Sequence, residues 1–394
     1  MPDTSKPGNW VYIDTAKALN ELCIDLRRQT ETQPWLALDT EFMREKTYYS
    51  QLCLLQVGTA ETIACIDPLA LDDLTPLLDI IYDKKITKVF HAAHQDLEIF
   101  YHLNNAVPTP VFDTQIAAPL LGHPTQAGYA VLVQDILGVS LSKGHARTDW
   151  SRRPLSDAQL GYAGDDVRYL GQIYVKLRQQ LEDEGRLSWL LDDFAKQTDP
   201  ARYAAEPSLA WKRIRASKRM RGKALSIVQT LAAWREKKAR EKNRPRNWLL
   251  RDDTLCDLAR LAPQSAADLT QIRGLNEKQL RQIETELLPL ICSAASRPAE
   301  NIKPQQRPTR PTPQQDALIE AMMATVHIQA LQNNMHPATL ASRKDVEQWL
   351  LGSREDSPLM SGWRRDMIGT VLNELLSGQR LLQVQDDELQ LVKP

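Results

Sequence analysis

The sequence predicts an α/β domain built on a mixed sheet with flanking helices, followed by two small all-α domains. Three observations carry that reading. Apolar runs of strand period come first in closely spaced pairs and then alternate with helical periods, which is the pattern of a sheet part antiparallel and part parallel. From residue 207 onward the helical period runs almost alone. Residues 293–314 carry Pro298, Pro304, Pro308, Pro311 and Pro313 with almost no large apolar side chain, so the helical half is cut in two by a linker. A chain of 394 residues has room for two or three domains. The expected boundaries are 1–206, 207–296, a Pro-rich linker at 297–313, and 314–394.

Composition narrows the class. With 42% hydrophobic and 25% charged residues the chain is ordinary globular material. No apolar run approaches the roughly 20 residues of a membrane span, and residues 1–9 are polar with no signal-type core. The expectation is a cytoplasmic protein with no membrane contact and no obligate protein partner. Cys23, Cys53, Cys65, Cys256 and Cys292 are scattered without a C-x-x-C spacing, which fits neither a disulfide framework nor a zinc site. The net charge of −1 hides a split: residues 1–206 sum to −10 and residues 207–394 to +9. An acidic half beside a basic half suggests a catalytic unit joined to one that holds a polyanion.

Taken in order, residues 9–14 read as a strand and 15–29 as a helix, with Ala16, Leu19, Leu22, Cys23 and Leu26 at helical spacing. The next strand, 35–42, ends in Leu38-Asp39-Thr40-Glu41-Phe42, two carboxylates where a buried strand would stay apolar. A period of two sends Asp39 and Glu41 to the same face. Carboxylates at close range repel, and an all-oxygen set is relieved by a divalent cation such as Mg²⁺ or Mn²⁺. A solvated strand end explains the pair equally well when it stands alone, so the metal reading requires further carboxylates.

Residues 51–58 and 62–67 read as strands joined by short links, hence antiparallel hairpins, followed by a helix at 71–82 and a strand at 86–90. Residues 91–100 leave that strand and turn into a helix with Asp96 near its start, where backbone donors favour a carboxylate. His91 and His94 lack a third ligand and read as packing or loop residues. A short strand or loop at 111–114 precedes helices at 115–121 and 129–137. Ser156-Asp157-Ala158-Gln159 is a capping box, opening a helix that runs to about Glu184. Tyr162 and Asp166, four residues apart, share one face of it. Asp165 points about 100° away, so only one of the two aspartates can join a site with Tyr162.

Asp39 and Glu41 on one strand, Asp96 at a helix start, and Tyr162 with Asp166 on a late helix resemble, in that order, the DEDD family of 3′→5′ exonucleases. Tyr162 stands four before Asp166, and Gly161 occupies the place where the histidine subclass carries its His, so the chain resembles the tyrosine subclass, DEDDy. Thr148-Asp149-Trp150-Ser151-Arg152-Arg153-Pro154-Leu155 and Tyr162-Ala163-Gly164-Asp165-Asp166-Val167 are similar to its ribonuclease D branch. The resemblance implies a ribonuclease H-like, DnaQ-like catalytic domain with Asp39, Glu41, Asp96, Tyr162 and Asp166 as catalytic residues. It also implies two divalent metal ions, Mg²⁺ or Mn²⁺, held by Asp39, Glu41, Asp96 and Asp166. Asp39 would bridge, Glu41 and Asp166 would complete the site of the attacking water, and Asp96 would serve the second ion. A phenol with an ordinary pKa of about 10 is a poor base at neutral pH, so Tyr162 is expected to orient that water. The implied activity is hydrolysis from RNA 3′ ends, releasing nucleoside 5′-monophosphates, with tRNA precursors as the substrate class. A DNA exonuclease of the same superfamily and a non-catalytic RNA-binding scaffold are the alternatives. The sequence has no G-x-x-x-x-G-K-[ST] loop, which argues against an attached helicase.

Residues 211–251 hold 15 Lys and Arg against two acidic residues. Lys212, Arg213, Arg215, Lys218, Arg219, Lys237, Lys238 and Arg240 are the candidate phosphate contacts. Trp211, Trp234 and Trp248, which lie among them, are expected mostly in the core. Helices are expected at 207–218, 222–243, 253–261, 265–271 and 277–291. Their pattern resembles an HRDC domain, a small helical nucleic-acid-binding module; Ile272-Arg273-Gly274-Leu275 is weakly suggestive of a helix-hairpin-helix loop. Helices at 313–332, 338–352 and 362–378, with an alternating tail at 381–392, resemble a second HRDC-like domain in tandem.

Overall fold

The computed structural model describes residues 10–141, 144, 148–272, 281, 283–297, 310–352 and 354–394. Residues 273–275 of the suggested hairpin loop, and most of the 297–313 linker, lie outside the described residues.

Strands β1 (Val11–Ile13), β2 (Trp35–Met43), β3 (Gln51–Gly58), β4 (Ile63–Ile66), β5 (Thr87–Phe90) and β6 (Val111–Asp113) form one sheet in the order β1-β4-β3-β2-β5-β6. The β2–β3 and β3–β4 pairs are antiparallel and the other three parallel, the mixed sheet the sequence predicts. Helices α1 (Ala16–Thr32), α2 (Thr75–Ile81) and α3 (His94–Asn104) cover the face bearing Leu36, Leu38, Leu55, Val57 and Ile66. The opposite face, with Trp35, Ala37, Ile63, Val89 and Phe112, is covered by α4 (Thr114–Ala117), α5 (Tyr129–Leu137) and α6 (Asp157–Asp183).

The Ser156 hydroxyl and the Gln159 side chain close the capping box reciprocally at the start of α6. Glycines let this helix lie flat on the sheet. A Cβ at Gly171 would come within 2.8 Å of the Trp35 ring, and one at Gly58 within 2.9 Å of the Val167 carbonyl. Lys88, on strand β5 beside the edge strand β6, is fully buried. Its ammonium donates to the carbonyls of Asp83, Ile86 and Thr109, and burial pushes its pKa down to about 7.

After α7 (Leu191–Gln197) the chain enters its basic stretch. The helix expected at 207–218 is two 3₁₀ segments, Pro207–Arg213 and Arg215–Arg219, because Ile214 between them is extended at ψ 109°. Helices α8 (Gly222–Glu241), α9 (Arg246–Leu249) and α10 (Asp252–Leu261), with a later helix at Leu288–Ala295, close around Val228, Leu231, Leu255, Leu258 and Ile291.

The core of the last helical unit, from Pro313–Gln332 through Thr370–Leu376, is continuous with that of the first domain. Its Ile319, Met322, Val326, Trp349 and Leu372 join one apolar cluster with Val133, Leu181 and Leu190 of the first domain. Arg186 donates to the carbonyls of Leu120 and Asn333, both at 2.7 Å, and Trp189 stacks on Trp363 at 4.7 Å. The unit is also not entirely helical. Strands β7 (Leu381–Gln385) and β8 (Glu388–Val392) form a terminal hairpin, with Asp386 and Asp387 both at positive φ, 52° and 62°, as a type I′ turn requires. No helix among the described residues is long and apolar enough to cross a membrane.

Replacing Gly171 with alanine drives a methyl group into the Trp35 ring, an overpacking cost of about 1–3 kcal/mol. The urea midpoint of the variant should fall accordingly; an unchanged midpoint would mean that α6 does not need this close approach.

Candidate active site

Asp39 and Glu41 leave β2 on the α6 side, half-buried, as alternation requires. Helix α6 brings Asp166 to meet them, and one carboxylate oxygen from each of the three lies within 4.8 Å of the others. Tyr162, one turn back, hydrogen-bonds the Asp166 carboxylate. Asp165 turns away to Arg168 Nε at 3.1 Å, so one aspartate of the adjacent pair joins the site and the other does not. Directly after Glu41 the β2–β3 register shifts, from Glu41 opposite Leu54 to Phe42 opposite Leu52. The extra residue is Cys53 of β3, and such a bulge bends the pair locally just past the two acids.

Asp96 arrives from the other side. It sits in the first turn of α3, buried, and accepts from the Thr40 hydroxyl at 2.6 Å. It is outside the three-carboxylate cluster, yet it opens into the same cavity of about 690 Å³ as Asp39, Glu41 and Tyr162. All five expected catalytic residues therefore converge, four facing one another and Asp96 at the flank.

The electrostatics are those of crowded anions. Burial pushes the Asp39 carboxyl well above the usual range, and the charge of Asp166 adds to it. Glu41 is pushed up to about 9 by burial, then by Asp39 and Asp96. Burial and Asp39 raise Asp96; burial and Glu41 raise Asp166. Arg44, a cation on the cavity wall, is engaged by Glu98 at 2.9 and 3.2 Å. A hard, all-oxygen, anionic donor set of this kind fits a divalent metal ion. Tyr162 is raised too, by burial and then by Asp166, so its phenol keeps its proton.

Sequence reasoning missed a residue that holds this arrangement in place. Asp113, at the end of β6 and almost fully buried, accepts from the backbone N–H groups of Ala92, Ala93 and Gln115 at 2.9 Å each, and from Gln197 Nε2 at 2.6 Å. It thereby fixes the turn through Ala92, at φ 59°, from which α3 delivers Asp96. Its only local signal is that of a helix cap before Gln115. His91 is a packing residue as expected: its ring nitrogens bond Thr114 Oγ1 at 2.9 Å and the Ala127 carbonyl at 3.0 Å. Trp150, in the 148–155 segment, packs its ring on Tyr162 at 6.2 Å.

The basic stretch divides by environment. Lys212, Arg213, Arg215, Lys218, Arg219 and Lys237 are exposed, whereas Lys238 and Arg240 are half-buried. Lys238 pairs with Glu241 at 3.2 Å. Arg240 and Arg246 both donate to the Tyr48 hydroxyl, at 3.2 and 3.0 Å, at a junction between α8 and the β2–β3 loop. There Tyr48 hydrogen-bonds the buried Glu236, and Asn243 Oδ1 accepts from the N–H groups of Tyr48 and Tyr49 at 3.0 and 3.1 Å. Burial alone would raise Glu236, but hydrogen bonds from Arg246 and Tyr48 outweigh it and hold its carboxyl below the usual value. Arg213 Nη1 stands 3.7 Å from the same carboxylate. Of the three tryptophans Trp211 is buried and Trp234 packs on the helical core, but Trp248 is 55% exposed with the Arg244 guanidinium over its ring.

Residues 10–182 match the family model of a 3′–5′ exonuclease, and residues 224–291 match the HRDC domain. Ribonuclease D of Granulibacter bethesdensis is 37% identical over 386 residues, covering 96% of both chains. The chain belongs to the ribonuclease D family. Ribonuclease D of Sphingobium indicum is 38% identical, covering 97% of this chain and 98% of its own. The crystal structure of Escherichia coli RNase D, described as an exoribonuclease involved in structured RNA processing, superposes with a TM-score of 0.76 at 35% identity, covering 94% of this chain and 99% of that one. As a ribonuclease D, this chain is a 3′–5′ exoribonuclease with an exonuclease domain of mixed sheet and helices followed by an HRDC domain. Family and enzyme class, and the α/β exonuclease domain followed by a helical HRDC domain, are thus as the sequence implies.

Two measurements probe the geometry. Thr40→Val removes the donor to the buried Asp96 carboxylate and should cut turnover about 10- to 100-fold with the fold intact; full turnover would show that the bond does not orient Asp96. For the chelated protein, a Glu41 held at about 9 against an ordinary 4.5 keeps a proton that the unfolded chain has lost between those values. The unfolded state binds fewer protons there, so the urea midpoint should fall as pH rises from about 5 to about 9, and Glu41→Gln should flatten that fall.

Proposed function

We propose that Asp39, Glu41, Asp96 and Asp166 hold two divalent ions, Mg²⁺ or Mn²⁺, and that the enzyme trims the 3′ ends of tRNA precursors in the cytoplasm. The observation that carries the reading is the meeting of three carboxylates within 4.8 Å, with Asp96 in the same cavity. In this reading a water attacks the terminal phosphorus, the bond from phosphorus to the 3′ oxygen of the preceding residue breaks, and a nucleoside 5′-monophosphate leaves an RNA with a new 3′ hydroxyl. Bound ions would lower the pKa of the attacking water and stabilise charge on attacking and leaving oxygens.

The protein's own groups position the reactants. Asp39 has Glu41 and Asp166 within 4.8 Å and its charge also acts on Asp96, and so suits a shared ligand; Asp96, bonded by Thr40, would serve the second ion. Tyr162 keeps its proton and is a hydrogen-bond donor rather than a base, so its task is to orient the water. Trp150 and Tyr162 wall the cavity and limit solvent around the reacting phosphate.

Lys212, Arg213, Arg215, Lys218, Arg219 and Lys237 would hold the RNA body through its phosphates, with Lys238 and Arg240 contributing from their half-buried positions. Residues 207–296 and 314–394 would be the two HRDC-like domains, joined by the 297–313 linker. RNA is favoured over DNA because the relatives are ribonucleases.

Product analysis on matched RNA and DNA strands, with and without chelator, tests the whole reading. Mononucleotides should come from RNA alone and only with divalent metal. Asp39→Asn and Asp166→Asn should each abolish release while leaving RNA binding intact; near-native turnover in either would end the assignment. Tyr162→Phe should be folded and about 10- to 100-fold slower. Replacing Lys212, Lys218 and Arg219 with alanine should lower the salt slope of RNA binding by about 1 for each phosphate left without its cation, whereas an unaltered slope would leave them as solvated surface.

A further inference from the structure

Gln56 lies in the middle of β3 with no exposed surface, and neither its amide oxygen nor its amide nitrogen has a hydrogen-bond partner. An amide group buried without a partner costs about 1–3 kcal/mol, so an apolar side chain of the same size would serve the sheet better. The ladder places this orphan beside the chemistry. Gln56 is directly opposite Asp39 on β2 and, on its other side, opposite Cys65 on β4. Residues paired across an antiparallel ladder leave the sheet on the same face, with Cβ atoms about 4.5–5.5 Å apart.

That face is the one roofed by α6. The Cys65 thiol reaches the Leu160 carbonyl at 3.8 Å, and the Asp166 charge acts on it after burial. The row Asp39, Gln56, Cys65 therefore runs beneath the helix segment that carries Tyr162 and Asp166, and Gln56 leaves β3 on the side of the carboxylate cluster. An ionised carboxylate offers about four acceptor positions, more than a cation on one side can use. A charge-assisted bond to one of the remaining positions is the partner the amide lacks.

We propose that Gln56 is a positioning residue for the metal site: its side-chain N–H, unpaired in this structure, turns to the Asp39 carboxylate oxygen facing away from the cavity when metal binds and fixes the orientation of that carboxylate. Metal ligands are commonly oriented by such a second hydrogen bond, and its loss costs about 10- to 100-fold in metal affinity or activity. The inference rests on the reading of Asp39 as a metal ligand.

The test compares full-length wild type, Gln56→Met and Asp39→Asn by calorimetric titration with Mn²⁺ in the absence of RNA, by urea unfolding in chelator, and by kcat and KM at saturating Mn²⁺. Gln56→Met should weaken Mn²⁺ binding about 10- to 100-fold, leave the KM for RNA at saturating metal unchanged, and leave the metal-free urea midpoint unchanged or higher, because an unpaired amide has been removed. Gln56→Leu repeats the comparison if the methionine variant does not fold. Unchanged Mn²⁺ affinity in a folded variant overturns the inference, and so does a lowered metal-free midpoint, since that would mean the amide has a structural partner unrelated to metal. Asp39→Asn separates the two levels. It should lose Mn²⁺ binding; if it binds as wild type does, the assignment of Asp39 as a ligand fails and takes the inference with it.

Discussion

Carboxylates crowded together away from bulk water repel, and that repulsion is the constraint on which this structure turns. Within the first domain, Asp39, Glu41 and Asp166 bring oxygens within 4.8 Å of one another, and each is raised by burial and by another acid. Nothing local in the chain favours that gathering; it is imposed by the large apolar burial of the sheet and its two helical layers. The frame is stiff where it must be. Gly58 and Gly171 allow α6 to seat directly on the sheet, so that Asp166 is held by backbone packing rather than by a flexible side chain.

Asp96 illustrates a second device. Its carboxylate is steered by Thr40, the residue between the two acids of β2, so the strand that supplies two acids of the cavity also aims a third. The turn that launches α3 is tied to Asp113, and Asp113 is tied through Gln197 to α7. One buried acid, fully satisfied by four donors and taking no part in the cavity, thus holds the start of the helix that carries another.

Much of the site was legible because its rules are local. A strand period of two and a helical spacing of four place Asp39 with Glu41 and Tyr162 with Asp166 before any tertiary information, and the capping box marks where α6 begins. What stayed hidden depends on partners distant in sequence. Nothing local marks Lys88, which the carbonyls of Asp83 and Ile86 in one turn and of Thr109 in another segment enclose. No local signal shows that Arg240 also donates to Tyr48, nearly two hundred residues away. Trp248, expected inside, stands exposed because its short helix α9 contributes no fully buried residue to the helical core. That the apolar face of the last helical unit also packs on side chains of the first domain has no local signal.

The junction at Tyr48 has a geometric consequence. The loop that Asn243 and Glu236 grip is the continuation of the very strand that presents Asp39 and Glu41, and its Arg44 and Glu45 line the cavity on one side and the groove toward Arg213 and Arg246 on the other. Grip and blade are therefore parts of one lever with no free joint at this point. An RNA held on the cationic helices, as proposed above, would meet the carboxylate cavity at a set reach, and the length of unpaired tail it had to offer would follow from the architecture itself.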